Sequence, residues 1–199
     1  ADVLEKAGVT RLMTIDLHSS SIQGFYNIPV IHLNGNKVFI DYIKSLDLED
    51  ICIVAPDQGA VKRASDFCKA FPDATFAMIN KRRIKPNEVH SMELVGDVKD
   101  KNIIIVDDMA DTGGTLKKAA GLMMESGAKS VRAVATHGVL SGMAYDNINS
   151  SVLSELIVSD SISKPGISDK IKYISCSKLI SKSITALVQK KSIHELNLV

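Results

Sequence analysis

The run Ile103-Ile104-Ile105-Val106 constrains this chain more than any other segment. Consecutive β-branched residues without a polar interruption suit a strand buried on both faces. Such strands belong to parallel sheets covered by helices on either side. The sequel is equally informative. Asp107-Asp108-Met109-Ala110-Asp111-Thr112-Gly113-Gly114-Thr115 leads directly into a helical pattern, with Leu116, Ala119, Ala120, Met123 and Met124 on one face. Gly127 ends that pattern. A buried strand, a turn rich in acids and glycines, and an amphipathic helix form the start of a βαβ unit.

The same alternation extends along the chain. Strands are predicted over 11–16, 51–55, 75–80, 103–107, 131–136, 155–158 and 172–175. Helices are predicted over 36–46, 58–71, near 141–149, and from Ser177 to about Lys190. The fold class is therefore α/β, with a mostly parallel sheet flanked by helices. The basic stretch Lys81–Glu88 reads as a loop.

Composition narrows the function classes. The chain has 199 residues, 45% apolar and 24% charged, with a net charge of +1. No global field recruits nucleic acid or an anionic membrane, so any anion site must be local. No segment approaches the ~18 apolar residues of a membrane helix, and no signal peptide is visible. Cys52, Cys68 and Cys176 form no CxxC pair, and an odd number does not suggest a disulfide framework. A reducing, cytoplasmic setting is expected.

The turn after the strongest strand concentrates chemistry. In open α/β sheets, ligands bind where strands end and helices begin. Gly113 and Gly114 let backbone amides approach an anion. Thr112 and Thr115 add hydroxyl donors, and the helix start adds unpaired N–H groups. Asp107 and Asp108 would repel a phosphate, but adjacent carboxylates suit vicinal hydroxyls as hydrogen-bond acceptors. The segment reads as a pentose 5-phosphate cradle. The alternative is a turn in which Asp111 or Thr112 caps an ordinary helix.

This segment resembles the binding loop of the type I phosphoribosyltransferase fold. Three further segments resemble the ribose-phosphate pyrophosphokinases (phosphoribosyl pyrophosphate synthetases): Thr14-Ile15-Asp16-Leu17-His18 with Ile22-Gln23-Gly24-Phe25, Ile53-Val54-Ala55-Pro56-Asp57-Gln58-Gly59-Ala60, and Asn80-Lys81-Arg82-Arg83-Ile84-Lys85-Pro86-Asn87-Glu88-Val89. Thr136-His137-Gly138 and Ser141-Gly142 add to the likeness.

The resemblance implies roles. His18 and Asp57 would lie at magnesium (Mg2+). Lys81 and Arg83 would stabilise the transferring diphosphate. Asp107, Asp108, Asp111, Thr112, Gly113, Gly114 and Thr115 would bind ribose 5-phosphate. The implied reaction moves the β,γ-diphosphate of ATP to the anomeric hydroxyl of ribose 5-phosphate, and the family association is with homo-oligomers, typically hexamers.

Residues 1–33 are expected to be the remnant of a first domain and 34–199 a second domain. The chain opens Ala1-Asp2-Val3-Leu4 inside a helical pattern. The family's upstream Arg-Gln-Asp segment and adenine-contacting aromatic have no counterpart, so a fragment of a longer protein is expected. Ile31-His32 stands where Asp-Asn is usual, and Ser21 where Gln is common. The tail around Ser192 keeps one of two serines linked to regulation. Two other readings compete with the synthetase: a non-catalytic associated subunit, and a base phosphoribosyltransferase.

Overall fold

The structure, a computed structural model, describes residues 1–82, 91–163, 166 and 168–193. Helix α1 (Asp2–Lys6) precedes β1 (Leu12–Ile15), a 3-10 turn over Ser20–Phe25 and β2 (Val30–Leu33). Then come α2 (Asn36–Ser45), β3 (Ile51–Ala55), α3 (Val61–Cys68), β4 (Thr75–Arg82) and β5 (Ser91–Val95). The remainder is β6 (Asn102–Ala110), α4 (Gly114–Glu125), β7 (Ser130–Gly138), α5 (Ala144–Asn149), β8 (Glu155–Ser159), β9 (Ile171–Ile174) and α6 (Ser177–Val188).

Seven strands form one sheet in the order β5-β4-β3-β6-β7-β8-β9. Every neighbouring pair in it is parallel except β4–β5. β1 and β2 form a separate parallel pair, Leu12 opposite Val30. The expected α/β class with a mostly parallel sheet is the one observed.

Alternation along the central strands builds two apolar layers. Cys52, Val54, Ile103 and Ile105 pack with Leu116, Ala119 and Met123 of α4 and Ile148 of α5. Ile53, Ala55, Ile104 and Val106 face the other way, onto Phe39 and Ile43 of α2 and Phe67 of α3. All eight strand residues are essentially inaccessible. Each large side chain buried this fully contributes about 1.5–3 kcal/mol of transfer free energy, which is why an uninterrupted apolar run was needed.

Several element limits differ from the sequence pattern. β6 continues through Asp107 and Asp108 to Ala110, because pairing with β7 persists as far as Ala110 opposite Gly138. α3 starts at Val61 rather than residue 58. Asp57 holds a turn there, its Oδ1 accepting the Ala60 amide at 3.2 Å. β4 runs on through Lys81 and Arg82 because β5, absent from the predicted elements, pairs with it antiparallel. Lys81 is thus at a strand end, whereas the rest of the predicted basic loop beyond Arg82 lies outside the described residues.

From β3 the chain moves outward to β4, and from β6 it moves outward in the opposite direction to β7. The carboxyl ends of β3 and β6 therefore flank a topological switch point, where an open α/β sheet leaves a crevice. Asp57 follows β3, and Asp107 and Asp108 lie near the end of β6.

Candidate active site

The acid pair lies near the carboxyl end of β6. Asp108 shares the parity of Ile104 and Val106 and turns to the α2–α3 side of the sheet. Asp107 is beside it, its Oδ1 accepting the Asp108 amide at 2.9 Å, and the two side chains also hydrogen-bond each other. Asp108 is 8% exposed, and its Oδ2 lies 2.7 Å from Nδ1 of His18, a side chain 74% exposed.

Their protonation differs. Burial pushes Asp107 up to about 7, opposed by the Asp108 amide that donates to its Oδ1 and assisted by the charges of Asp108 and Asp57. Burial also raises Asp108, but hydrogen bonds to His18 and Asp107 and the nearby Arg63 guanidinium outweigh it. Asp108 is held below the ordinary carboxylate range. His18 is raised, first by its hydrogen bond with Asp108 and then by the charges of Asp108, Asp107 and Asp57. The crevice concentrates negative charge that a cation would relieve.

The turn after β6 is braced from α5. Ser141 Oγ donates to Asp111 Oδ1 at 2.5 Å, and Asn147 Nδ2 donates to the Thr112 carbonyl at 2.9 Å. Gly113 has φ of 73°, and a Cβ there would approach Ile148 Cδ1 to 3.2 Å and the Ala144 carbonyl to 3.3 Å. Only glycine meets both conditions without strain. α4 starts at Gly114, and among the described residues no side-chain cap bond is made at its start. Asp111, a candidate cap by sequence, has its carboxylate engaged by Ser141 instead, and Thr112 is held through its carbonyl by Asn147. The first amides of α4 are left for an anion, as a phosphate site needs.

The remaining predicted residues are distributed as follows. His18 joins the acid pair. Asp57 lies across the switch point in the β3–α3 turn, and its charge acts on both Asp107 and His18. Lys81 is at the end of β4, next to β3. Arg83 lies outside the described residues.

Sequence reasoning assigned no role to Asp16, Arg63 or Thr136. Asp16, 5% exposed, accepts from Arg63 Nη1 at 2.6 Å and from Thr136 Oγ1 at 2.5 Å. Residues 16–18 thereby cross from the β1–β2 pair to the main sheet. An arginine in a short helix carries no sequence signal for such a contact. Beside it is a polar cavity of about 390 Å3 lined by Asp16, His18, Gln23, His32, Asn34 and Arg63 among others. A larger cavity, about 530 Å3, lies between α2 and α6 and is lined by Lys37, Lys44, Lys178 and Lys182. It includes none of the crevice residues, so size does not mark the site here.

Neither a lone glycine turn nor a lone acid pair identifies a protein. Together they stand at the central switch point of a mostly parallel sheet, and the fold is that of an α/β protein with a strand-end crevice. Residues 72–197 match the phosphoribosyl synthetase-associated domain, and the chain belongs to that family. It is 44% identical over 197 residues to a ribose-phosphate pyrophosphokinase of Porphyromonas gingivalis, covering 98% of this chain and 63% of that protein. It is 46% identical over 198 residues to one of Bacillus caldolyticus, covering 98% and 62%. The crystal structure of phosphoribosylpyrophosphate synthetase from Mycobacterium smegmatis superposes with a TM-score of 0.86 at 36% identity, over 96% of this chain and 62% of that one. The chain thus spans somewhat under two thirds of the length of these relatives.

Proposed function

We propose that this chain carries the ribose 5-phosphate half of a ribose-phosphate diphosphokinase site. One observation carries the reading: an acid pair at the end of β6, closely followed by an uncapped, glycine-started helix. The 5-phosphate would rest on the amides of Gly113, Gly114 and Thr115 and the hydroxyls of Thr112 and Thr115. Asp107 and Asp108 would accept from the ribose hydroxyls, and Asp111, fixed by Ser141, would border the phosphate turn.

The anomeric hydroxyl would then attack the β-phosphorus of ATP. A bond forms from that oxygen to phosphorus as its proton passes to solvent, the bond from phosphorus to the α,β-bridging oxygen breaks, and AMP leaves with that bridging oxygen. Charge accumulating on the transferred group calls for fixed cations, the role assigned to Lys81 and Arg83.

The donor set fits magnesium. Among the described residues no three His, Cys, Asp or Glu side chains converge as a closed cage. Magnesium generally takes one or two carboxylates plus substrate phosphates rather than such a cage. Asp57 would supply oxygen, and His18, whose Nδ1 is engaged by Asp108, would offer Nε2. Magnesium bound there would neutralise charge on the ATP phosphates. Among the described residues no helix is long and apolar enough to cross a membrane. The three cysteines are free thiols, which supports a reducing compartment such as the cytoplasm.

The test measures AMP released from magnesium-ATP with and without ribose 5-phosphate, alongside calorimetric binding of ribose 5-phosphate, in the chain and its Asp107→Asn/Asp108→Asn variant. Sugar-dependent AMP, and sugar binding that the variant loses, are expected. Equal sugar binding by both proteins would reject the assigned cradle.

A further inference from the structure

We infer that Asp16 and Arg63 form a positioning pair that locks the β1–β2 unit onto the main sheet and holds His18 opposite Asp108. This rests on the diphosphokinase reading only for its consequence in catalysis; the lock itself is a matter of geometry.

Three separate parts of the chain converge on one oxygen. Asp16 Oδ2 receives Arg63 from α3 and Thr136 from the end of β7. Gly35, just after β2, packs so closely that a Cβ would overlap the same oxygen and stand 2.5 Å from Thr136 Oγ1. A carboxylate this buried is tolerated only when paired and hydrogen-bonded. Its charge therefore binds α3, β7 and β1 into one arrangement rather than decorating a surface.

The main chain around Asp16 is fixed as tightly. Its amide donates to the Leu33 carbonyl at 3.0 Å. His137 Nε2 lies 3.1 Å from the carbonyls of Ile15 and Asp16. The Leu17 amide donates to His32 Nε2 at 2.9 Å. Asp16 has φ of +40°, a left-handed turn that aspartate adopts more readily than most residues. That turn redirects the chain as it leaves β1, and two residues later His18 meets Asp108. Since His18 is mostly exposed, little packing of its own holds it there. The lock on Asp16 supplies the restraint, in the way that outer contacts orient a site residue.

Hydrogen exchange of the full chain tests the lock independently of catalysis. In Arg63→Ala the amides of Leu12–Leu17 should exchange at least about tenfold faster, while Ile103–Val106 and Val131–Val134 keep their protection. Arg63→Lys should restore most of the protection. Should Arg63→Ala fail to fold, Asp16→Asn/Arg63→Gln, which removes both charges while keeping similar shapes, gives the same comparison. Unchanged exchange over Leu12–Leu17, or a uniform rise throughout the sheet in the paired variant, would overturn the inference. For catalysis, sugar-dependent AMP turnover should fall at least about tenfold, with ribose 5-phosphate affinity within about twofold, since the phosphate turn lies on α4. Loss of affinity and turnover together would overturn the positioning role. Absence of both AMP formation and ribose 5-phosphate binding in the unaltered chain would instead count against the proposed function and leave the exchange result decisive for the lock.

Discussion

His18 Nδ1 and Asp108 Oδ2 stand 2.7 Å apart, although ninety residues separate them in sequence. The contact joins the β1 exit to the end of β6 and puts an imidazole charge against a buried carboxylate. The hydrogen bond and the charge of Asp108 raise His18, so Asp108→Asn should lower its titration midpoint toward 6.5, the ordinary histidine value. Imidazole NMR of the full chain reads this directly, and an unmoved midpoint would mean that the pair does not form in solution. For stability, a raised histidine contributes most below 6.5 and loses its contribution as pH rises through the folded value. With His18 largely exposed, solvent screening keeps that contribution small.

Asp107 departs from the usual carboxylate in its consequence for stability. Burial pushes it up to about 7, well above its unfolded value of 3.8, so the folded chain holds this proton more tightly. Its favourable contribution is full below 3.8 and is lost as pH rises through about 7. Asp107→Asn removes the buried charge. The variant should therefore gain thermal stability relative to the parent at pH 8 compared with pH 5, by about 2–4 °C, the shift that ~1 kcal/mol produces in a chain of this size. Thermal unfolding without ligand at the two pH values checks it; an equal difference at both would place the Asp107 titration elsewhere.

The elements legible in the sequence were those whose residues answer to one dominant force. Ile103–Val106 had to be a central strand, and Leu116, Ala119 and Met123 had to face it. The acid and glycine turn was legible as well, because a strand end and a helix start dictate what lies between. β2 and β5 were not legible, being short and only partly buried, with their identity fixed by the strand they pair with. Nor was the extent of β6, which depends on β7 as a neighbour. Arg63 and Thr136 were invisible for the same reason: their partner is Asp16, far away along the chain, and no local pattern records it.

Lys81 separates binding from turnover. It lies at the end of β4, beside the β3 strand that leads to Asp57, and the proposed function assigns its charge to the transferring diphosphate. Lys81→Ala should leave ribose 5-phosphate affinity within about twofold and lower sugar-dependent AMP formation by roughly 100-fold, the usual cost of removing one charge-stabilising donor. Calorimetry and a single-turnover assay together decide it. Undiminished turnover would remove Lys81 from the chemistry.

Gly35 and Gly121 should respond oppositely to the same substitution. Gly35 has an ordinary right-handed backbone, φ −71°, so alanine is acceptable there conformationally. Space is the obstacle: its Cβ would overlap Asp16 Oδ2 and fall 2.9 Å from Thr136 Cγ2. The Asp16 carboxylate cannot retreat without loosening Arg63 or Thr136, so Gly35→Ala should destabilise by about 1–3 kcal/mol, the usual range for overpacking a closed site. Gly121 lies within α4, and a Cβ added there would meet nothing within 4 Å. Gly121→Ala should therefore stabilise by about 0.4–1 kcal/mol by restricting the unfolded chain. Chemical unfolding of both variants tests the pair. A Gly35→Ala variant as stable as the parent would mean that the packing around Asp16 is looser than these contacts require, whereas a loss at Gly35 with a gain at Gly121 would confine the cost of a methyl group to the joint between β1 and the main sheet.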